Sequence, residues 1–336
     1  MRVDRLRSVP HAVGLVAAAC LAVYLVGLQG SFQFDDFNVI VDNEAVHSLA
    51  AWWQSMPGIR PLLKLSYALN WIIAPQAPAF RAVNLVCHLV NGVLVYVLLR
   101  EWMRQVPARA HDAPWLALLA ALIFVLHPAQ TEAVTYVSGR SVSLMGTFYL
   151  MSLLAFSARS GNARQLSSHE AASAETARGG ALIASLLCFG CALATKETAW
   201  TLPFALVLVL YGIRRIPLRE ALRRTRWHWL VLTLALLAAS SLPRYRDLFW
   251  TSIATRTLAE NLLAQIDGVS YLLTQPLLLL TTNIDPDLPA HGTPTPMLAA
   301  KGACLFSLFA FGALLAFKRA WAGVAIVWLL LDLLPT

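Results

Sequence analysis

The segment AVNLVCHLVNGVLVYVLL, residues 82–99, contains 18 residues and no charged side chain. A helix of about 20 apolar residues crosses the roughly 30 Å hydrocarbon core of a membrane. Arg81 directly precedes the segment and Arg100 directly follows it, so charged residues mark both of its ends. The segment is therefore predicted to be a transmembrane helix.

The composition of the whole chain agrees with this prediction. The chain has 336 residues, of which 58% are hydrophobic and 13% are charged. Soluble domains contain about 45–50% apolar and about 25% charged residues. This chain has too few polar residues to cover the surface of a soluble domain whose core would contain so many apolar residues. The composition indicates an integral membrane protein, and it excludes a soluble enzyme, a disordered regulator and a secreted domain built on disulfides.

Other apolar segments predict an all-α, polytopic transmembrane helix bundle. The predicted spans are residues 12–28, 82–99, 114–126, 134–156, 181–195, 200–213, 227–242, 297–317 and 321–334. The moderately apolar segment 258–280 is interpreted as re-entrant or interfacial, because a full crossing would move Lys318 and Arg319 to the outer side. Nine crossings result, and a tenth crossing by segment 258–280 is the alternative. The whole chain, 1–336, is predicted to form a single transmembrane domain.

The basic residues predict the orientation of these spans. Loops rich in Lys and Arg stay on the cytoplasmic side, and this scheme places 17 of the 26 basic residues there. The N-terminus is then cytoplasmic, and the first span is an uncleaved anchor. The first outer loop is 31–61, and the Ser- and Ala-rich inner loop 157–180 is predicted to be flexible.

The polar residues that remain on the outer side are candidates for a functional site. They are Asp35 and Asp36, Arg60, His127, Glu132, Arg140, Lys196 and Glu197, and Asp285. Their common side predicts one site at the outer membrane surface, because ionisable groups near a bilayer usually serve function.

Each of these motifs also has a structural interpretation. The paired acids can cap a helix, and Pro128 can end the helix before it. Lys196 and Glu197 can neutralise each other, and the Arg140 side chain can extend toward the membrane surface. Asn84, His88 and Asn91 share one helix face and are interpreted as contacts between helices.

The order of the motifs resembles the membrane glycosyltransferases of the GT-C class. The resemblance is to the transmembrane and tetratricopeptide-repeat O-mannosyltransferases and their bacterial relatives, over residues 11–336. The residues that carry it are Phe34-Asp35-Asp36, Asn43, Arg60-Pro61-Leu62, Asn70, Phe80, Asn84, His88, His127-Pro128, Thr131-Glu132, Gly139-Arg140, Lys196-Glu197 and Asn283-Ile284-Asp285-Pro286-Asp287.

The chain also departs from this family. Arg81 follows Phe80 where the family often has His, and no acidic residue follows Arg140. The tetratricopeptide repeats are missing, and the chain stops directly after a predicted span. Because the family normally continues with further spans, the ending predicts either a truncated product or a partial gene.

The resemblance implies transfer of a sugar from a polyprenyl-phosphate-linked donor to a hydroxyl acceptor, such as a protein Ser or Thr or a glycan. Asp35 or Asp36 would be the catalytic base. Arg60, Arg140, Lys196 or Arg256 would bind the lipid phosphate. His127, Glu132, Glu197 and Asp285 complete the predicted substrate-binding set. Some GT-C enzymes use a divalent metal, but the residues predict no metal or cofactor, and they predict no nucleic-acid partner.

The implied location is the bacterial inner membrane, with the active face toward the periplasm. Two other classes remain open from the residues. A lipid or lipid-linked-sugar flippase would carry charges along its path through the membrane. An inactive membrane scaffold would need no catalytic group.

Overall fold

A computed structural model describes residues 8–159, 168–255, 257–278 and 293–334, and these residues form helices and turns without a β-strand. The chain divides into two compact units, Met1–Ala199 and Trp200–Thr336. The helices of the first unit are α1 (Val9–Tyr24), α2 (Leu49–Gln54), α3 (Pro61–Ile73), α4 (Ala77–Arg104), α5 (Ala113–Leu126), α6 (Thr131–Thr135), α7 (Arg140–Arg159) and α8 (Ser168–Leu193). Those of the second unit are α9 (Leu202–Leu208), α10 (Leu218–Ser241), α11 (Pro243–Thr255), α12 (Leu258–Leu278), α13 (Pro296–Phe317) and α14 (Trp321–Leu333).

Several of these helices are long and apolar enough to cross a membrane. In the described part of the chain, four qualify: Ala77–Arg104, Val137–Arg159, Glu175–Leu193 and Pro296–Phe317. A fifth candidate consists of α5 and the following segment Pro128–Thr135, which are bent by 55° against each other. The shorter apolar helices are Val9–Tyr24, Glu197–Ile213 and Trp321–Leu333. The all-α, polytopic fold class is confirmed, and the number of nine crossings stays a prediction.

Helices α1, α4 and α5 pack around a common apolar core. Val16 of α1 and Val125 of α5 are fully buried in it. Both face Gly92 of α4, where an added Cβ would lie 2.3 Å from Val125 Cγ1 and 3.2 Å from Val16 Cγ1. Glycine at this position therefore allows the helices to approach closely, as small residues do in membrane bundles.

The polar face of α4 connects it to its neighbours, as the sequence predicted. The His88 Nε2–H group donates to the Val125 carbonyl at 3.2 Å. Asn91 Nδ2 donates to the Ser143 carbonyl of α7 at 2.8 Å. Both side chains are buried, so these bonds satisfy polar groups that water does not reach.

The segment 31–61, called here the first outer loop after its predicted orientation, is structured. It contains a π-helical turn, Phe37–Val41, and helix α2, whose N-cap Ser48 accepts a bond from the Ala51 N–H group at 3.1 Å. Helix α3, which the sequence analysis did not predict, follows directly. A small core of Ile40, Val46, Leu63, Tyr67, Phe80 and Val137 joins this loop to α3, to α4 and to the turn before α7.

Two other predicted segments can be compared with the structure. Helix α8 begins at Ser168, so the second half of the segment predicted as a flexible loop, 157–180, is helical. Segment 258–280 contains one helix, α12, and a salt bridge between Asp267 and Lys301 connects it to α13. Whether α12 crosses the membrane or lies at its surface stays a prediction.

Candidate functional site

The two adjacent acids of the first outer loop lie in different environments. Asp36 is fully buried, and its carboxylate accepts bonds from the Gln33 N–H group (3.0 Å), the Ser138 N–H group (2.9 Å) and the Ser138 hydroxyl (2.7 Å). Asp35 is exposed, and its backbone N–H group donates to the Tyr136 hydroxyl at 3.1 Å. The carboxylate of Asp36 is therefore occupied by the protein, whereas that of Asp35 is open to solvent.

Helix α4 holds the turn that receives both acids. Arg81 donates from Nε to the Thr135 carbonyl and from Nη2 to the Ser31 carbonyl, both at 2.6 Å. Asn84 Nδ2 donates to the carbonyls of Tyr136 (3.0 Å) and Val137 (3.2 Å). One helix thus fixes the start of the acidic loop and the turn against which it packs.

Arg140 is enclosed by the protein. Its side chain is 0% exposed, and it donates to Asn84 Oδ1 (2.9 Å), Asn70 Oδ1 (2.7 Å) and the carbonyls of Ser66 (3.1 Å) and Phe80 (2.9 Å). Its guanidinium carbon lies 5.0 Å from the ring centres of both Tyr67 and Phe80, at cation–π distance. This enclosure favours a role in joining α3, α4 and α7 over contact with a lipid phosphate.

Arg60 and Glu197 form an ion pair between two distant parts of the first unit. Arg60 Nε lies 3.1 and 2.9 Å from the two carboxylate oxygens of Glu197, and Nη2 lies 2.8 Å from Oε2. The side chains remain 39% and 42% exposed. Pairs exposed to this degree contribute only about 0–1 kcal/mol to stability. A contribution to the stability of the fold therefore does not by itself explain why Arg60 and Glu197 are paired.

Lys196 lies next to this pair. Burial lowers the pKa of Lys196, and the positive charge of Arg60 lowers it further, while Glu197 and Glu132 act in the opposite direction. The Leu62 N–H group donates to the Ala194 carbonyl at 3.0 Å, which holds the start of α3 against the turn that carries Lys196. Two cations and two acids therefore form one partly buried charged cluster.

His127 and Glu132 are the other predicted site residues that the structure describes. His127 Nδ1 accepts a bond from the Ala129 N–H group at 3.1 Å and so caps the short helical turn after α5. Glu132 is exposed on α6, and its charge raises the pKa of Lys196. Asp285 and Arg256 lie outside the described residues.

Tyr67 of α3 is influenced by charges of both the acidic turn and the charged cluster. Its side chain is fully buried. Burial raises its pKa, the charges of Arg140 and Arg60 lower it, and that of Asp36 raises it. One member of each group of candidate residues, Asp36 and Arg60, therefore acts electrostatically on this buried phenol.

Two residues that organise this region, Tyr136 and Arg81, were not among the site residues predicted from the sequence. Arg81 was noted only as a departure from the family pattern, although a charged residue at the end of an apolar span was a usable signal. Tyr136 lies between two turns, and an aromatic side chain with a polar end commonly finds a partner there. In the described part of the chain, no three His, Cys, Asp or Glu side chains are close enough together to hold a metal ion.

These features define the class of this protein: a polytopic, all-α membrane protein with an acidic turn and a charged cluster in its first unit. Its sequence is similar to protein O-mannosyl-transferases. It is 28% identical over 165 residues to TMTC3 of Mus musculus, a match that covers 44% of this chain and 17% of that protein. It is 32% identical over 166 residues to TMTC4 of Homo sapiens, covering 43% and 22%. It is 31% identical over 220 residues to TMTC1 of Mus musculus, covering 59% and 22%.

The chain is therefore related to the TMTC protein O-mannosyl-transferases. The matches span about a fifth of the length of these relatives, between 17% and 22%. The activity of the relatives thus applies to this chain only as a proposal. No family model matches the chain, and no solved structure matches it.

Proposed function

We propose that this protein is a membrane-embedded glycosyltransferase of the GT-C type that modifies a hydroxyl group, such as a Ser or Thr side chain of a protein. The donor is a sugar linked to a polyprenyl phosphate, and transfer takes place at the outer face of the membrane. For a bacterial chain, this is the periplasmic face of the inner membrane. The names of the relatives support a glycosyltransferase that acts on protein.

The observation that carries the proposal is the combination of an exposed carboxylate with a charged cluster that contains two cations, Arg60 and Lys196, in the same unit. Asp35 has an open side chain, and its backbone is held by Tyr136. Arg60 and Lys196 supply positive charge, and the partly exposed Arg60–Glu197 pair contributes only about 0–1 kcal/mol to stability. Transfer from a lipid phosphate requires both a base for the acceptor and cations for the leaving phosphate.

The proposed roles follow from these environments. Asp35 accepts the proton of the acceptor hydroxyl while the hydroxyl oxygen attacks the anomeric carbon of the sugar. The bond between this carbon and the phosphate oxygen breaks, and the polyprenyl phosphate leaves with the electron pair. Arg60 and Lys196 stabilise the negative charge that develops on the phosphate. Glu197 orients Arg60, and Glu132 keeps Lys196 protonated.

Asp36 and Arg140 have a different role in this proposal. Asp36 is a positioning residue, because its carboxylate already binds three donors of the protein. Arg140 holds α7 against α3 and α4 through four hydrogen bonds. The phosphate-binding role that the resemblance implied for Arg140 is therefore given to Arg60 and Lys196.

The test is transfer of labelled sugar from a polyprenyl-phosphate-linked donor to an acceptor peptide by the purified full chain. We expect Asp35→Asn to lower the rate by about 10²–10⁴ while donor binding and the melting temperature stay unchanged. Asp42→Asn, which changes an exposed acid in the same loop, is the matched control.

Transport of the same labelled lipid across vesicles is measured in parallel. Near-normal transfer by Asp35→Asn would show that the assigned base is wrong. Lipid transport without transfer by the unmodified chain would favour a flippase over a transferase. The absence of both activities would favour a membrane scaffold.

A further inference from the structure

Two turns of the second unit are interlocked through arginine. Arg319, in the turn between α13 and α14, donates from Nη1 to the Arg215 carbonyl in the turn before α10, at 3.1 Å. The guanidinium carbon of Arg319 lies 5.1 Å from the ring centre of Tyr211, whose hydroxyl donates to the Phe317 carbonyl at 3.3 Å. These contacts bring two basic stretches of the chain together.

Both turns have an unusual backbone. Arg215 and Arg319 each have a φ of 57°, in the left-handed region that residues other than glycine rarely adopt. Such conformations persist where the surrounding structure holds them, often at sites of function. Arg215 lies in one of the two interlocked turns, and Arg319 lies in the other.

The surface formed by residues 214–226 and 318–319, here called the basic surface, has a large positive charge. It contains six arginines between 214 and 226 together with Lys318 and Arg319, and its single acid is Glu220. Glu220 binds both Arg223 (2.7 Å) and Arg224 (2.8 Å). The formal charge of the basic surface is therefore +7.

Apolar and aromatic residues place this surface beside a membrane. Phe317, the last residue of the candidate span α13, is 74% exposed and is followed at once by Lys318. The Arg226 guanidinium carbon lies 5.3 Å from the ring centre of Trp227, and α10 then exposes Leu234. Tryptophan and basic residues at the ends of apolar helices are typical of the lipid headgroup layer.

The preference of basic loops for the cytoplasmic side explains why these residues lie on one side of a membrane. It does not explain why two basic turns are held against each other, because like charges repel at short distance. A bound anion would offset this repulsion, and arginines bind phosphate with parallel hydrogen bonds.

We propose that the basic surface binds the headgroup phosphates of anionic phospholipids. Basic groups next to membrane helices bind such headgroups. The exposed side chains of Arg219, in the first turn of α10, and of Lys318, directly after α13, are available for such contacts. The inference goes beyond the proposed function and does not depend on it.

The test measures binding of spin-labelled phosphatidylglycerol to the full chain in phosphatidylcholine nanodiscs, where both membrane faces contain the probe. We expect the double variant Arg219→Gln/Lys318→Gln to lower the affinity for the labelled lipid roughly 10- to 30-fold. The matched control is Arg104→Gln/Arg109→Gln, which removes two exposed charges, one at the last residue of α4 and one just after it. It should change the affinity by less than about twofold. Circular dichroism and the melting temperature check that both variants are folded.

Three results would overturn the proposal. Unchanged affinity in the first variant would show that the basic surface does not bind the lipid. Equal losses in both variants would show attraction by net charge alone. Displacement of the labelled lipid by inorganic phosphate, at equal phosphate concentration, would indicate a site for soluble anions instead of lipid headgroups.

Discussion

At the scale of single residues, adjacent positions in this chain have separate roles. Asp35 and Asp36 are neighbours, yet one is exposed and the other is fully buried against Ser138. The resemblance implied that Asp35 or Asp36 is the catalytic base, and the residues by themselves also allowed the pair to cap a helix. The sequence left open which acid had which role, and the burial of Asp36 now favours Asp35 as the base.

We expect Asp36→Asn to destabilise the folded protein by roughly 2–3 kcal/mol. An amide has one acceptor oxygen, so its NH₂ group would face one of the N–H donors that the carboxylate now satisfies. The melting temperature in detergent measures the effect, with the exposed Asp42→Asn as control. Equal melting temperatures for the two variants would contradict the structural role of Asp36.

The pH dependence of donor binding depends on Lys196. Burial lowers its pKa below the ordinary value of 10.5, so its ammonium loses the proton at a lower pH than that of an exposed lysine. Because only the protonated form attracts a phosphate, we expect the KM for the lipid donor to rise on the alkaline side as the pH passes this lowered pKa. Lys196→Arg should keep the KM constant to higher pH, because arginine stays protonated.

Measurement of KM against pH for both proteins checks this prediction. Identical alkaline limbs for the wild type and Lys196→Arg would show that Lys196 does not contact the donor. Lys64→Arg, a change at another lysine of the first unit, controls for general effects of the substitution.

At the scale of elements, helix α4 connects the bundle to the candidate site. Its inner part contacts α5 and α7 through His88 and Asn91. Its first turns hold the acidic loop and the turn before α7 through Arg81 and Asn84. We therefore expect Asp35 to be placed correctly only when α4 is closely packed against its neighbours.

Gly92→Ala tests the packing of this helix. The added Cβ would lie 2.3 Å from Val125 Cγ1, and valine has little rotamer freedom to move away. We expect a loss of about 1–3 kcal/mol of stability, measured as a lower melting temperature. Gly14→Ala in α1 is the control, because no atom lies within 4 Å of its added Cβ.

The double variant Gly92→Ala/Val125→Ala tests whether steric overlap between the added Cβ and the Val125 side chain causes the loss of stability. If the overlap with Val125 causes the loss, the double variant should be more stable than the sum of the two single changes predicts. Strict additivity would show that Gly92 is needed for another reason.

At the scale of the whole molecule, the unit Met1–Ala199 contains all the described candidate site residues, and the unit Trp200–Thr336 contains the basic surface. The sequence predicts that the first outer loop and the basic surface lie on opposite sides of the membrane, because alternate spans reverse direction. Neither the orientation nor the number of crossings follows from the helices alone.

We expect Glu44→Cys and Gln54→Cys to react with an impermeant thiol reagent in intact cells, and Arg219→Cys to react only after permeabilisation. All three positions are exposed in the structure. The five native cysteines, which include the exposed Cys304, are replaced first. The opposite labelling pattern would invert the topology and place the candidate site on the cytoplasmic side.

The sequence by itself determined the class, the apolar helices and the candidate residues of this protein. Hydrophobicity and helical periodicity are local properties, so residues 82–99 predicted α4, and Asn84, His88 and Asn91 were correctly interpreted as contacts between helices. Helix α3, Pro61–Ile73, was not predicted, because Lys64, Ser66 and Asn70 interrupt the apolar run of its 13 residues.

The tertiary structure alone decided which candidate residues meet. Arg60 pairs with Glu197 across 137 positions, and Ser138 binds Asp36 across 102 positions. No local pattern encodes such contacts, because they depend on how separate helices pack. Burial decided the rest: it enclosed Arg140 and Asp36 among donors and acceptors of the protein, whereas Asp35 stayed exposed.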